Sequence, residues 1–473
     1  MAWRQCPKRL WLEVRRPELA VYPSATRRSF AMGHEVGAVA RDLQGGGVLV
    51  DPPTLSQALR ETARLLARRG DLTLFEATFS HGGVLVRADV LRREAGVARM
   101  VEVKSSTSVR QHHVDDAAVQ AWVVRGAGVP LARVALACID RDFVYGGDGD
   151  YHGLLRETDV SARVDALAAH IPDWIDGCAA TLAGDLPDRE VSDACHRPFD
   201  CPFVGNCPAD ETRAAASPPP LSAAPSPSGA PPEPAAPPLP AAPPLVGSPP
   251  SGGRAVAARL GALPFPRFYL GVQTVRCAVP VWAGTRPWEP LPFHWSCHVE
   301  QTGGELTHRE FLDTSGDDPL RGFAQTLIAT LGEAGPVLVY GALERDALAA
   351  LVARLPDLRR PLEAIGARLI ELLPDARAAW GLPAAADPPL DGLLPTVAPD
   401  LPPADLGEVR DDGDAQTAYA EAAHPDTSPE RADELAAALL AYATRRTLAL
   451  VRLRRVLGEQ HHPPVPVISK ERS

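Results

Sequence analysis

Two apolar runs in this chain end in residues able to handle a phosphodiester. Val86-Arg87-Ala88-Asp89-Val90-Leu91 is followed by Met100-Val101-Glu102-Val103-Lys104-Ser105, and each run reads as a β-strand. If the two pair as a hairpin, the carboxylates of Asp89 and Glu102 converge on one hard cation. Lys104 lies two residues past Glu102, so strand alternation sends both side chains to the same face. A divalent ion held there polarises a phosphate and lowers the pKa of a bound water, while the ammonium steadies developing charge. Alone, that spacing is also what solvated charges at strand ends give.

The elements that must position these residues follow a recognisable order. A helical stretch over about 29–42 carries Gly33, His34 and Gly37, and a second helix covers about 55–69. After the hairpin, 114–124 reads as a helix containing Gln120, and Val134 to Ile139 as a further strand. This α/β order resembles the RecB-like branch of the PD-(D/E)xK nuclease superfamily. The resemblance implies catalytic roles for Asp89, Glu102, Lys104 and Gln120, with Mg2+ or Mn2+ held by His34, Asp89 and Glu102. One departure is Val124, where that branch has an aromatic residue four positions after the glutamine. Glu76, His112 and His113 read as solvated or supporting groups, and His34 on its own reads as an ordinary helix histidine.

Cysteines give the second signal. Cys195, Cys201 and Cys207 are evenly spaced in CHRPFDCPFVGNCP, and Cys6 stands far upstream in RQCPKRLWLE. Zinc ligand pairs sit two to four residues apart, so these gaps fit a zinc site poorly. The set resembles the split iron-sulfur site of RecB-like nucleases of the AddB type and the CRISPR-associated exonucleases, in which one early and three late cysteines hold a [4Fe-4S] cluster. By that resemblance Cys6, Cys195, Cys201 and Cys207 would clasp the ends of the domain. The other reading is buried free thiols. Cys138, Cys178, Cys277 and Cys297 share no such spacing and read as core or incidental.

QCPKRLWLEVRRPEL, EVKSSTSVRQHHVDDAAVQAWVV and ACHRPFDCPFVGNCP together are similar to bacterial proteins that fuse a RecB-like nuclease to a second domain. There the second domain is like a DEDD-type 3′-5′ exonuclease of the ribonuclease H-like fold. TRPWEPLPFHWSCH and Val337-Leu338-Val339-Tyr340 match it, but its acids are largely missing. Gly271, Gln273, Gly341 and Arg446 stand at acid or amide positions, while Glu344 is kept and Glu371 could match one more acid. Two-metal hydrolysis needs several carboxylates, so the expectation is a PD-(D/E)xK-like core followed by a degenerate ribonuclease H-like α/β domain.

Residues 214–253 hold 15 prolines and a single charge, Glu233, and read as an extended linker. They divide a domain over 1–213 from one over 254–473. A loop-like stretch, 383–429, precedes a closing helix over about 430–457. The chain carries −11 overall; 26 basic against 29 acidic side chains fall in 1–213, and 22 against 29 in 254–473. No general pull on nucleic acid follows. A local basic segment, Lys8, Arg9, Arg15, Arg16, Arg27 and Arg28, could track phosphates; Lys8, Arg9, Arg15 and Arg16 are its candidate nucleic-acid contacts. The bland alternative is a solvated face. The acidic second half points to a protein partner.

No apolar run is long enough to span a membrane, and clustered thiols fit a reducing cytoplasm. The expected function is a metal-dependent DNA exonuclease on single-stranded ends, in repair, recombination or defence. The alternative is a non-catalytic nucleic-acid or protein-binding scaffold.

Overall fold

A computed structural model describes residues 1–207, 252–382, 388–398 and 407–458; the expected linker falls almost wholly outside them. The chain divides into two compact units, and the segment Cys277–Trp288 belongs with the first.

The first unit opens with α1 (Ala2–Gln5), α2 (Pro7–Arg15) and α3 (Ser24–Asp42), which starts five residues earlier than the apolar pattern suggests. Then come β1 (Val48–Leu49), α4 (Leu55–Leu66), β2 (Leu72–His81), β3 (Val84–Glu94), β4 (Val97–Lys104), α5 (Gln111–Gly126), β5 (Leu131–Ile139), β6 (Leu155–Asp159), α6 (Ser161–Leu167) and α7 (Ile171–Ala183). The six strands lie in sequence order. Strands β2, β3 and β4 form an antiparallel meander, β5 runs parallel to β4, and β6 returns antiparallel. A parallel neighbour requires a crossover, and α5 supplies it. Its Val114, Ala117, Ala118 and Ala121 are buried with Leu74, Met100 and Leu136 of the sheet. Val124, the departure from the aromatic pattern, is buried in that same core.

A second apolar cluster joins Met32 and Val36 of α3 to Ile139, Leu154, Ala278 and Val279. The Cys277–Trp288 segment is pinned there: Tyr145 N–H donates to Thr285 O (3.0 Å), Gly284 N–H to Tyr145 O (2.8 Å), and Tyr151 Oη to Pro280 O (3.0 Å). Burying such side chains stabilises by roughly 1.5–3 kcal/mol each.

The second unit contains α8 (Gly252–Gly261), β7 (Arg267–Val275), β8 (Leu291–Glu300), β9 (Leu306–Leu312), α9 (Leu320–Leu331), β10 (Val337–Val339), α10 (Leu343–Arg354), α11 (Arg359–Gly366), β11 (Leu369–Glu371), α12 (Leu372–Trp380), α13 (Leu390–Val397), α14 (Asp412–Ala422) and α15 (Pro429–Gly458). Its sheet runs β11-β10-β7-β8-β9. Strands β7, β8 and β9 are antiparallel, while β10 pairs parallel with both β7 and β11. The stretch 383–429 is not all loop: among its described residues lie α13 and α14. Val397 of α13 is buried beside Leu450 and Leu453 of α15, which explains why a Pro- and Ala-rich sequence still forms helices. The closing helix is as expected, with Leu435, Leu439 and Val451 buried.

Candidate active site

Pairing of β3 with β4 stops at Val90↔Val101, so Asp89 and Glu102 stand where the two strands part. Asp89 takes over the ladder at that point, its Oδ2 accepting from Val103 N–H at 2.7 Å. The β2–β3 ladder also skips Glu76, between the pairs Phe75↔Val90 and Ala77↔Ala88. Glu76 has φ +55°, a left-handed conformation that a non-glycine residue adopts at a cost of about 1–3 kcal/mol and that clusters at functional sites.

A cavity of ≈ 320 Å³ opens at this break, lined by Gly33, His34, Gly37, Arg41, Glu76, Asp89 and Glu102 among others. Three of the residues chosen from the sequence, His34, Asp89 and Glu102, thus share one cavity. Glu76, read from the sequence as solvated or supporting, lines it as well. Arg41 also lines it, and its guanidinium has no ion pair or hydrogen bond among the described residues.

Lys104 Nζ donates to Glu102 Oε1 at 2.8 Å and to Asp116 Oδ2 at 2.7 Å. Asp116, on the first turns of α5, was not legible as a site residue, because its sequence distance from Lys104 gives no sign of the contact. Glu102 Oε2 is buried without a hydrogen-bond partner among the described residues, and so is Gln120 Oε1. Gln120 lies one helical turn after Asp116.

Burial raises the Asp89 carboxyl to about 6, with the Glu76 charge adding to the effect. Burial, then Asp89, raises Glu102 well above the usual carboxylate range. Burial alone would lower Lys104, but Glu102 and Asp116 outweigh it and keep the ammonium charged. His113 is lowered to about 4 by burial and by the neighbouring His112, which makes it neutral at pH 7. Two carboxylates that resist ionising side by side are the electrostatic state of a site that gains from a divalent cation.

The cysteines meet beside α2, and Phe199, between Cys195 and Cys201, packs edge-on against His112 of α5. Cys6 caps the N-terminus of α2, and the thiols of Cys201 and Cys207 lie within electrostatic reach of both Cys6 and Cys195. All four are free thiols. Ser192 N–H points at Cys195 Sγ (3.5 Å), and Leu12 and Phe203 pack around Cys195 and Cys201. Soft donors, an N–H···S contact and an apolar wrap suit Cys-ligated iron-sulfur chemistry. No group of three or more His, Cys, Asp or Glu side chains among the described residues forms a ready-made metal cage.

The four basic residues expected to meet nucleic acid each have a partner within the fold. Lys8 is buried, donates to Arg189 O at 3.0 Å and lies against Cys207. Arg9 pairs with Glu13 at 2.8 Å, Arg15 donates to Leu182 O at 2.9 Å, and Arg16 pairs with Glu18. Each of these cations thus has a local acceptor.

In the second unit, Gly271 sits where an added Cβ would stand 3.1 Å from Thr447 Cγ2. Gln273 is buried against His294 (2.7 Å). Glu344 accepts from Val272 N–H at 3.3 Å, and its other oxygen has no hydrogen-bond partner among the described residues. Arg446 pairs with Asp412, and Glu371 with Arg345 at 3.1 Å.

The family described as Domain of unknown function (DUF2779) matches residues 268–386. No curated protein and no solved structure matches the chain. Among the described residues, no helix is long and apolar enough to cross a membrane.

Proposed function

We propose that the first unit is a Mg2+- or Mn2+-dependent deoxyribonuclease acting on single-stranded ends, and that the second unit is a ribonuclease H-like fold without catalytic acids. The carrying observation is the cavity that gathers His34, Glu76, Asp89 and Glu102, with Lys104 joined to Glu102 at its edge. The order helix, three-stranded meander, crossover helix and parallel strand supports a PD-(D/E)xK-like core. The strand order of the second sheet supports the ribonuclease H-like reading, and Gly271, Gln273 and Arg446 support its loss of chemistry.

A divalent ion bound at His34, Asp89 and Glu102 would supply Lewis acidity and an acidified water. The chain does the rest. Val103 N–H fixes one Asp89 oxygen. Lys104 fixes Glu102 Oε1 and leaves Oε2 without a competing donor. Asp116 holds the Lys104 ammonium in place and charged, ready for a phosphoryl oxygen. Arg41, unpaired at the cavity, is a second cation that a phosphate would meet. Cys6, Cys195, Cys201 and Cys207 would hold a [4Fe-4S] cluster that clasps α2 to the 195–207 segment, a structural role. Protein purified without oxygen is then expected to be brown, and Cys201→Ala to be colourless.

The test is Mn2+-dependent degradation of end-labelled single-stranded DNA by the full chain purified anaerobically. Wild type is expected to cut, EDTA to stop it, and Lys104→Ala to slow it on the order of 10²-fold or more. If wild type with its cluster intact does not cut, the enzyme reading fails and the scaffold reading takes its place.

A further inference from the structure

A second cleft, ≈ 520 Å³ in volume, lies past Lys104 on the side of the first unit's sheet where β5 ends and β6 begins, and the nuclease chemistry just described leaves it unassigned. Thr107, Ser108, Val109, Asp140, Arg141, Asp142, Arg156 and Thr158 line it, with Cys138 and Ile139 at its base. It adjoins the reactive site through strand register, since Lys104 pairs with Cys138, and Cys138 with Arg156.

Both loops that wall it are tied down. Ser106 Oγ donates to Ser108 O (3.0 Å), and Ile139 N–H donates to Ser106 O (3.0 Å). Asp142 N–H donates to Asp140 Oδ1 (3.0 Å), and Arg286 holds Asp142 O at 2.9 Å. Held this way, the two loops keep Thr107, Ser108 and Arg141 on the cleft wall.

Charge narrows the ligand. Arg156 is neutralised by Asp140, whereas Arg141 and Asp142 form no ion pair among the described residues. The cleft therefore has one open guanidinium, one open carboxylate and three hydroxyls. That set suits a single nucleotide unit, with a phosphate on Arg141 and sugar or base edges on the hydroxyls and Asp142, better than a run of bare phosphates.

We propose that this cleft seats the nucleotide next to the scissile phosphate, with Arg141 as its phosphate contact. The proposal rests on the nuclease reading for the neighbouring site, but its test does not need turnover. A fluorescein-labelled single-stranded DNA is titrated with the full chain in EDTA across a salt series, for wild type, Arg141→Ala and Thr107→Ala/Ser108→Ala. Arg141→Ala is expected to weaken binding about 10-fold and to reduce the slope of log affinity against log salt by about 0.7, the share of one phosphate on a single strand. The hydroxyl pair is expected to weaken binding with the slope kept. Arg141 is exposed and makes no contact that the fold needs, so an unchanged melting curve checks folding.

If wild type cuts DNA but Arg141→Ala binds with wild-type affinity and slope, the cleft assignment is wrong and the nuclease reading stands. If wild type cuts nothing while Arg141→Ala weakens binding with the smaller slope, the cleft is supported as a nucleic-acid site and the nuclease reading falls.

Discussion

Glu102→Gln is expected to lower Mn2+-dependent cleavage on the order of 10³-fold, more than Lys104→Ala, while raising the melting temperature of the metal-free protein. The two effects share a cause. Glu102 is 5% exposed, and its Oε2 has no hydrogen-bond partner among the described residues, so the apo-protein carries a carboxylate that burial disfavours in its charged form. An unsatisfied buried polar atom costs about 1–3 kcal/mol, more when charged. Glutamine keeps the shape and removes the charge. Lys104 still has Asp116 at 2.7 Å, so the swap does not strand the ammonium. For the proposed reaction the same change would take an anionic oxygen from a bound cation and loosen the Lys104 anchor at once. Steady-state cleavage of labelled single-stranded DNA, with melting curves in EDTA, reads both effects. A variant that cuts within tenfold of wild type would remove Glu102 from the site.

Most of the site's skeleton was legible because it is local. Alternation marks β3 and β4, and the Glu102-x-Lys104 spacing puts two groups on one face of one strand. What the sequence did not give is the set of partners that meet through space. Asp116 reaches Lys104 only because α5 crosses back over the sheet. Glu76 becomes a cavity residue because its backbone turns left-handed, and no hydropathy period records a positive φ.

The partners of the basic segment were hidden for a related reason. Clustered arginines look like a free field in a sequence, yet Arg9, Arg15 and Arg16 each reach a nearby carbonyl or carboxylate, and Lys8 is drawn into the thiol cluster. Cys277–Trp288 shows the limit for domain reading. Its Ala278 and Val279 complete an apolar cluster with Met32 and Val36, on the helix that carries His34, from far downstream in the chain.

Arg446→Met is expected to destabilise the second unit by about 3 kcal/mol, and Glu344→Gln in the same chain to recover much of that loss. Arg446 pairs with Asp412, takes the Tyr442 hydroxyl at 3.2 Å and is attracted by Asp391 and Glu344. Under the ribonuclease H-like reading proposed above, Arg446 takes the position of a carboxylate, and a fixed cation would replace a ligand for a mobile one. Removing one partner of a buried ion pair costs about 3–5 kcal/mol because the other charge is left uncompensated. The lower end applies here, since Asp412 is half exposed.

The pH dependence follows from Glu344, whose carboxyl burial raises to about 7. A raised carboxyl favours the fold while protonated, so its contribution is full below about 4.5 and declines as pH rises through about 7. Glu344→Gln is expected to flatten that decline. Arg446→Met is expected to steepen it, because the ionised carboxylate then lacks its nearby cation. Hydrogen exchange of α10 and α15 peptides at pH 5 and pH 8 measures this within the second unit alone. Protection should fall about 100-fold at pH 8 in Arg446→Met, by the usual 1.36 kcal/mol per decade, and return in the double variant. Equal losses in single and double variants would mean that the buried Glu344 is energetically independent of Arg446.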